Sequence, residues 1–204
     1  RLGDILGKIV VPMIIAPPAS IAIVFIITLV IIRASRNMAA PRANRAFRRL
    51  QIVTSLFLSA TDGTNDAQKI MGIATVLLMY YGYLSEFAIP TWVMMASYAT
   101  LSMGTFLGGW RIVKTMATRI TKIRPYQGFS AEAGSSLMLG ATALLGLPVS
   151  STHVTGGAIM GTGLAHRAKS VKWVTSRRIA IAWILSIPLP ALFSFVLYRM
   201  IALL

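Results

Sequence analysis

The residues with the clearest chemical potential lie in two short polar runs, each set between long apolar stretches. The first run, residues 61–69, reads TDGTNDAQK and contains two carboxylates, two amides and a lysine. Carboxylate and amide oxygens are preferred ligands of hard cations such as sodium. Asp62, Asn65 and Asp66 are therefore candidate cation ligands, and Asn65 with Asp66 is the specific hypothesis for sodium.

The second run, residues 146–153, reads GLPVSSTH. Gly146 and Pro148 are typical of a helix end, and one of the following hydroxyl residues should cap the next helix. A helix N-terminus presents free N–H groups and the positive end of the helix dipole, so it favours anions, phosphate among them. Ser150, Ser151 and Thr152 therefore form a predicted anion site.

The composition places both runs in a membrane protein. Of 204 residues, 56% are hydrophobic and only 12% are charged, against about 25% charged in soluble domains. The net charge of +15 would normally suggest nucleic-acid binding. A mean hydropathy of +0.73 leaves too few polar residues for a soluble basic surface, so no nucleic-acid partner is expected. Cysteine is absent, which excludes thiol chemistry.

Most of the basic residues fall in three clusters, which together hold 16 of the 20 positive charges. Their members are Arg33, Arg36, Arg42, Arg45, Arg48 and Arg49; Arg111, Lys114, Arg119, Lys122 and Arg124; and Arg167, Lys169, Lys172, Arg177 and Arg178. The positive-inside rule assigns all three clusters to the cytoplasm. The sequence therefore predicts a multi-pass protein of the plasma (bacterial inner) membrane with both ends of this segment outside.

The apolar stretches predict a single all-α transmembrane domain, since about 20 apolar residues cross the bilayer as a helix. The predicted order is a span at 9–32, a basic loop at 33–49, a broken helix at 50–84, a span at 87–110, a basic loop at 111–128, a re-entrant hairpin at 129–165, a basic loop at 166–178 and a span at 179–203. Pro12, Pro17 and Pro18 should kink the first span or delay its start. Because the sequence starts at Arg1 without Met, we expect it to be a piece of a longer protein.

Residues 50–84 are predicted as two half-helices with the polar run between them at membrane depth. Gly63 would end the first half-helix, and Thr64 or Asn65 would cap the second. Secondary transporters often place substrate or ion sites at such breaks. The alternative is a cytoplasmic loop in which Asp66 and Lys69 form an i,i+3 ion pair.

Residues 129–165 are predicted as a hairpin that starts and ends on the cytoplasmic side. Its only carboxylate, Glu132, either orients the hairpin or completes a cation site. Gly157 and Gly161 have the spacing that lets a neighbouring helix approach closely. Of the other acids, Asp4 and Glu86 are assigned to outer loops.

Both runs resemble the signatures of the inorganic phosphate transporter (Pit) family of membrane symporters. That family carries Gly-Ala-Asn-Asp, often followed by Gln-Lys, and Gly-Leu-Pro-Val-Ser-Thr-Thr-His. The corresponding residues read GTNDAQK at 63–69 and GLPVSSTH at 146–153. Two further segments, GGWRIVKTM at 108–116 and GFSAE at 128–132, resemble the family's basic turn and the lead-in to its hairpin.

The resemblance implies one half of an inverted-repeat transporter, because each half of the family carries one copy of each signature. This chain matches the second half. The N-terminal half would come from upstream sequence or a second subunit, and a homodimer is a further possible assembly. Two positions depart from the family pattern: Asp62 replaces a His, and Thr64 replaces an Ala.

The predicted function is cation-coupled import of inorganic phosphate by alternating access. Ser150, Ser151 and Thr152, with Thr64 and Gln68, are assigned to phosphate, and Asn65, Asp66, Asp62 and Glu132 to the coupling cation, sodium or a proton. Two like charges 4 Å apart repel by about 4 kcal/mol at an effective dielectric of 20. A cation must therefore load the carboxylates before phosphate binds.

Two other functions stay open: transport of another tetrahedral oxyanion such as sulfate, and a non-transporting membrane subunit. The residues offer no catalytic arrangement, so no enzyme activity and no cofactor beyond the coupling ion are expected. His153 is interpreted as a packing residue rather than a proton carrier, and Lys69 as an ion-pair partner of Asp66. His166 is interpreted as interfacial, and the basic clusters could also contact anionic membrane lipids.

Overall fold

A computed structural model of the chain describes residue 3 and residues 6–201, and across these residues the secondary structure is helical, with no strand. The α-helices are α1 (Val11–Ser35), α2 (Ala40–Tyr80), α3 (Thr91–Gly108), α4 (Trp110–Thr115), α5 (Pro125–Leu144), α6 (Ser151–His166), α7 (Trp173–Leu185) and α8 (Pro188–Ile201). Short π-helical turns at Leu6–Val10 and Met116–Ile120 precede α1 and follow α4. The predicted all-helical class is confirmed. Asp4 lies outside the described residues.

α2 is one continuous helix of 41 residues, so the predicted break at the polar run is wrong. The interior of α2 contains no proline, and one glycine costs a helix only about 1 kcal/mol. The hydroxyls of the run also bond back along the helix: Thr61 Oγ1 donates to Phe57 O at 2.9 Å and Thr64 Oγ1 to Ala60 O at 2.7 Å. Gly63 therefore ends no helix, and neither Thr64 nor Asn65 is a cap.

The predicted basic loops are also largely helical. Residues 33–49 contain the end of α1, a short connection and the first ten residues of α2. Residues 111–128 include most of α4 and the start of α5, and residues 166–178 include the start of α7. At 1.5 Å per residue α2 is about 60 Å long, roughly twice the hydrocarbon thickness of a bilayer. Much of the three basic clusters is thus carried by helices rather than by loops.

The helical hairpin of α5 and α6 is confirmed as two helices joined by residues 145–150, while its re-entry into a membrane stays a prediction. Gly146 has φ +65°, and the bonds from Leu147 N to Thr142 O and from Gly146 N to Ala143 O form a Schellman cap. Pro148 follows at once and prevents further helix. The predicted end of the first hairpin helix is therefore confirmed.

α6 packs on α1 through its glycines, as their spacing predicted. A Cβ on Gly157 would lie 2.7 Å from Pro17 O, and one on Gly161 would lie 2.6 Å from Ile21 O. The two backbones are thus in direct contact. Ser20 Oγ donates to Val154 O at 2.6 Å and fixes the register of this contact.

The largest apolar core lies where α1, α5 and α6 meet. Its buried members are Val24, Ile120, Ala131, Ala158, Ile159 and Met160. Within the described residues, Gly7–Ser35 and Trp173–Ile201 are the stretches long and apolar enough to cross a membrane. Every residue of α8 is exposed, which suits a lipid-facing helix.

The α1–α6 contact gives a test of this packing. Gly161→Ala should lower the free energy of unfolding by about 1–3 kcal/mol, since the added methyl collides with backbone rather than a movable side chain. Gly72→Ala on α2 is the matched control, because a Cβ there meets nothing within 4 Å. Unfolding in detergent micelles is the measurement. Equal stability of the two variants would show that the helices do not make this contact.

Candidate functional site

The polar run of α2 packs against the tip of the α5–α6 hairpin. Asn65, only 3% exposed, donates from Nδ2 to Val149 O at 3.0 Å. Lys69 Nζ donates to the same carbonyl at 2.8 Å. Val149 lies in the hairpin connection, which has no helical partner for its carbonyl. The two polar runs of the sequence therefore meet in the fold.

Asp66 connects the same two elements. Its Oδ1 accepts from Lys69 Nζ at 3.0 Å, which confirms the predicted ion pair, and its Oδ2 accepts from Ser151 Oγ at 3.2 Å. Both carboxylate oxygens are therefore engaged. The charge of Asp66 is balanced by Lys69, and its geometry is fixed against the first residue of α6.

The N-terminus of α6 keeps its backbone N–H groups free of side-chain caps. Ser150 occupies the N-cap position with extended dihedrals, but its hydroxyl makes no capping bond, so the predicted hydroxyl cap is wrong. The Ser151 hydroxyl is directed to Asp66 instead, and Thr152 is exposed. The first turn of a helix has donors without intrahelical partners, and the dipole adds a partial positive charge. This end of α6 is thus suited to an anion.

A cavity of about 680 Å³ opens beside this helix end. α2, α5 and α6 supply most of its wall, with further residues from α4 and the π-helical turn after it. Its polar and charged lining residues are Arg48, Gln51, Asp62, Arg124, Glu132, Ser151, Thr152 and Thr155. Of the predicted site residues, Asp62, Glu132, Ser151 and Thr152 therefore face one space.

The two carboxylates of the cavity differ in their surroundings. Glu132 accepts from Thr54 Oγ1 at 2.5 Å and from Gln51 Nε2 at 3.5 Å, so it ties α5 to α2. Asp62 Oδ1 is buried and has no hydrogen-bond partner among the described residues. A buried carboxylate oxygen without a donor is costly. A cation or water at that point would satisfy it.

The remaining predicted site residues do not line the cavity. Asn65 and Asp66 contact the hairpin tip next to the cavity, and Ser150 belongs to that tip. The Thr64 hydroxyl bonds within α2, and Gln68 is exposed. His153 is buried with its ring 4.8 Å from that of Trp183, which supports a packing role. His166 Nδ1 lies 3.1 Å from Tyr126 OH, between α5 and α6.

Sequence reasoning missed several lining residues, namely Arg48, Gln51, Arg124 and Thr155, and the Glu132 partner Thr54. The signal was present in α2: Arg48, Gln51, Leu58 and Asp62 share one face of a helix with 3.6 residues per turn. The predicted loop at 33–49 and the predicted break at 61–69 would separate these residues, so this signal is hidden. A continuous helix brings all four to the same wall.

The fold and site define an all-helical membrane protein in which a polar cavity reaches a helix N-terminus and two carboxylates. The sequence profile of the phosphate transporter family matches residues 2–194, so the chain belongs to that family. Members of this family are transporters rather than enzymes.

Individual relatives agree with this membership. A probable low-affinity inorganic phosphate transporter of Rhizobium meliloti is 48% identical over 74% of this chain and 46% of its own length. One from Bacillus subtilis is 40% identical over 94% of this chain and 58% of its own length. The human sodium-dependent phosphate transporter 2 is 32% identical over 76% of this chain and 24% of its own length. The chain thus spans about half the length of the bacterial relatives.

A solved structure titled "The sodium-dependent phosphate transporter" has the same fold. It superposes with a TM-score of 0.71 at 24% identity and covers 91% of this chain and 55% of its own. At this identity the likeness concerns the fold alone.

The contact between Asn65 and Val149 gives a prediction for the hairpin tip. Asn65→Ala removes a buried donor and should destabilise the tip by about 1–2 kcal/mol. Amide hydrogen exchange of residues 147–151 should then be roughly 5- to 30-fold faster. Gln68→Ala, an exposed amide on the same helix, should leave exchange unchanged. If both variants exchange like the wild type, Asn65 does not hold the tip.

Proposed function

We propose that the chain forms half of a secondary transporter that imports inorganic phosphate by cation-coupled symport with alternating access. The observation that carries the proposal is the cavity, whose wall combines the uncapped N-terminus of α6 with two carboxylates. Membership of the phosphate transporter family supports phosphate as the substrate. The cavity would be the aqueous route of one access state.

In this proposal phosphate binds at the N-terminus of α6. The hydroxyls of Ser150 and Thr152 and the free N–H groups of the first turn would donate to its oxygens. The Ser151 hydroxyl would turn from Asp66 to phosphate when a cation binds that carboxylate. Hydrogen bonds to a charged ligand are each worth about 1.5–3 kcal/mol. Thr64 and Gln68 of α2 would add further hydrogen bonds to phosphate. They would do so once a second half of the transporter covers the surface on which Gln68 is exposed.

The coupling cation would bind beside the phosphate. Asp62 supports this role because its Oδ1 is buried and has no hydrogen-bond partner among the described residues. Asp66, Asn65 and Glu132 would supply further oxygen ligands. Oxygen ligands suit sodium, and the similar human protein carries sodium dependence in its name. We therefore propose sodium rather than a proton. The bare carboxylates repel phosphate, and the cation removes that repulsion.

A second half would complete the site. Gln68 and Thr152 are exposed beside the hairpin tip, where polar side chains in a membrane need protein or water around them. The match covers only 46% of the Rhizobium relative and 58% of the Bacillus relative, which leaves room for a second repeat. We call the assembly of this chain with that repeat the complete transporter. The basic clusters would lie on the cytoplasmic side of the plasma membrane.

Ser151 provides the direct test. In proteoliposomes containing the complete transporter, Ser151→Ala should raise the KM for labelled phosphate roughly 10- to 150-fold, as expected for one lost hydrogen bond to an anion. Ser55→Ala is the matched control, because its hydroxyl bonds only to Ile52 O within α2. Sulfate should not compete at equal concentration. Unchanged phosphate uptake by Ser151→Ala would contradict the assignment of the substrate site.

A further inference from the structure

Two arginines of the cavity lie at the end opposite Asp62. Arg48 precedes Asp62 by 14 residues on the continuous helix α2, which is about 21 Å along its axis. α5 runs parallel to α2, since Phe47 contacts Phe129 with ring centroids 5.6 Å apart and Thr61 packs against Gly140 farther along. Arg124, at the start of α5, therefore lies at the same end of the cavity as Arg48.

Neither arginine is neutralised by a neighbouring acid. No carboxylate oxygen of the described residues lies within 4.0 Å of either guanidinium, and Lys69–Asp66 is the ion pair that these residues contain. Both arginines line the cavity and are exposed, so we call this end of the cavity its mouth. Two unpaired guanidiniums on one cavity wall produce a local positive potential.

The backbone of Arg124 is held in place by a buried glutamine. Gln127 is 1% exposed, and its Oε1 accepts from Arg124 N at 2.9 Å. Its Nε2 donates to Thr162 O on α6 at 3.2 Å. The start of α5 is thus anchored to α6 rather than left as a free loop end. The anchor fixes where the Arg124 side chain leaves the backbone.

The charges along the cavity are therefore ordered, with arginines at the mouth and carboxylates deeper. An anion that moves between the mouth and the N-terminus of α6 passes Glu132 and Asp62, which oppose it. Positive charge at the mouth offsets the electrostatic repulsion between these carboxylates and the anion, and it raises the local anion concentration. The guanidinium fork also matches tetrahedral oxyanions in geometry.

We propose that Arg48 and Arg124 form a second, transient phosphate site at the mouth of the cavity, separate from the site at the N-terminus of α6. This inference rests on the proposed transport function. It assigns two members of the basic clusters a role in the substrate path. The other members remain markers of the cytoplasmic side.

The test uses the complete transporter with Arg48→Gln and Arg124→Gln, singly and together, and with the matching lysine variants. Arg49→Gln is the control, because Arg49 neighbours Arg48 on α2 but does not line the cavity. Labelled phosphate flux is measured from each side of proteoliposomes of known orientation, at low and high ionic strength. Binding of labelled phosphate to solubilised protein is measured in parallel.

The double glutamine variant should raise the KM from the mouth side about tenfold or more, with kcat in that direction unchanged. Because the substitution leaves the overall transport equilibrium unchanged, kcat/KM from the other side should fall by the same factor. The KM from the mouth side should also lose most of its dependence on salt. The KM values of the lysine variants should lie between those of the wild type and the glutamine variants. Lysine keeps the positive charge but lacks the planar guanidinium group. An unchanged KM in the double variant, or an equal rise in Arg49→Gln, would overturn the mouth site.

Lipid composition and direct binding distinguish the mouth site from a lipid contact and from a failure of transport. A KM effect seen only in vesicles that contain phosphatidylglycerol, and not in pure phosphatidylcholine, would assign the arginines to a lipid headgroup and overturn the proposal. If the wild type binds phosphate but does not transport it, the proposed transport function is wrong. The phosphate Kd of the double variant then tests the mouth site separately. A tenfold weaker Kd in the double variant at low ionic strength would then support the site, and an equal Kd would overturn it.

Discussion

Three polar residues in the middle of α2, Asn65, Asp66 and Lys69, find hydrogen-bond partners at the tip of the α5–α6 hairpin. Asn65 and Lys69 share the Val149 carbonyl, and Asp66 joins Lys69 to Ser151. The contact also satisfies Val149, which lies between two helices and whose carbonyl has no backbone partner among the described residues. Polar groups buried without partners are expensive. This one contact therefore fixes where the N-terminus of α6 lies relative to the carboxylates of α2.

The close packing of α6 on α1 supports the same arrangement from the other side. Gly157 and Gly161 let the α6 backbone touch the carbonyls of Pro17 and Ile21. α6 is thus held between α1 on one side and the polar face of α2 at its tip. The cavity remains open along α2 and α5, where Glu132 accepts from Thr54 and Gln51. A rigid helix end next to an open polar cavity is a suitable arrangement for an anion path.

The sequence predicted those features that depend on strong local signals. Gly146 and Pro148 predicted the hairpin turn, and the charge clusters indicated a membrane protein. The spacing of Gly157 and Gly161 predicted close packing on a neighbouring helix, and the structure identifies that helix as α1. The predicted break at the polar run of α2 was wrong, because residues of these types usually favour loops but here lie within a continuous helix. Hydroxyls that bond back to the helix and partners supplied by the hairpin outweigh that preference. These tertiary contacts are not visible in local sequence, so Gln51 and Arg48 were missed with the helix that carries them.

The central claim is that a cation on the carboxylates makes phosphate binding favourable. Binding of phosphate to the complete transporter at several sodium concentrations, with ionic strength held constant by choline, tests it most directly. The account predicts that sodium tightens the Kd for phosphate and that phosphate tightens the Kd for sodium by the same factor, as linkage requires. It also predicts that Asp62→Asn weakens this coupling, whereas Glu86→Gln in the α2–α3 loop leaves it intact. A phosphate Kd that does not change with sodium would contradict the account.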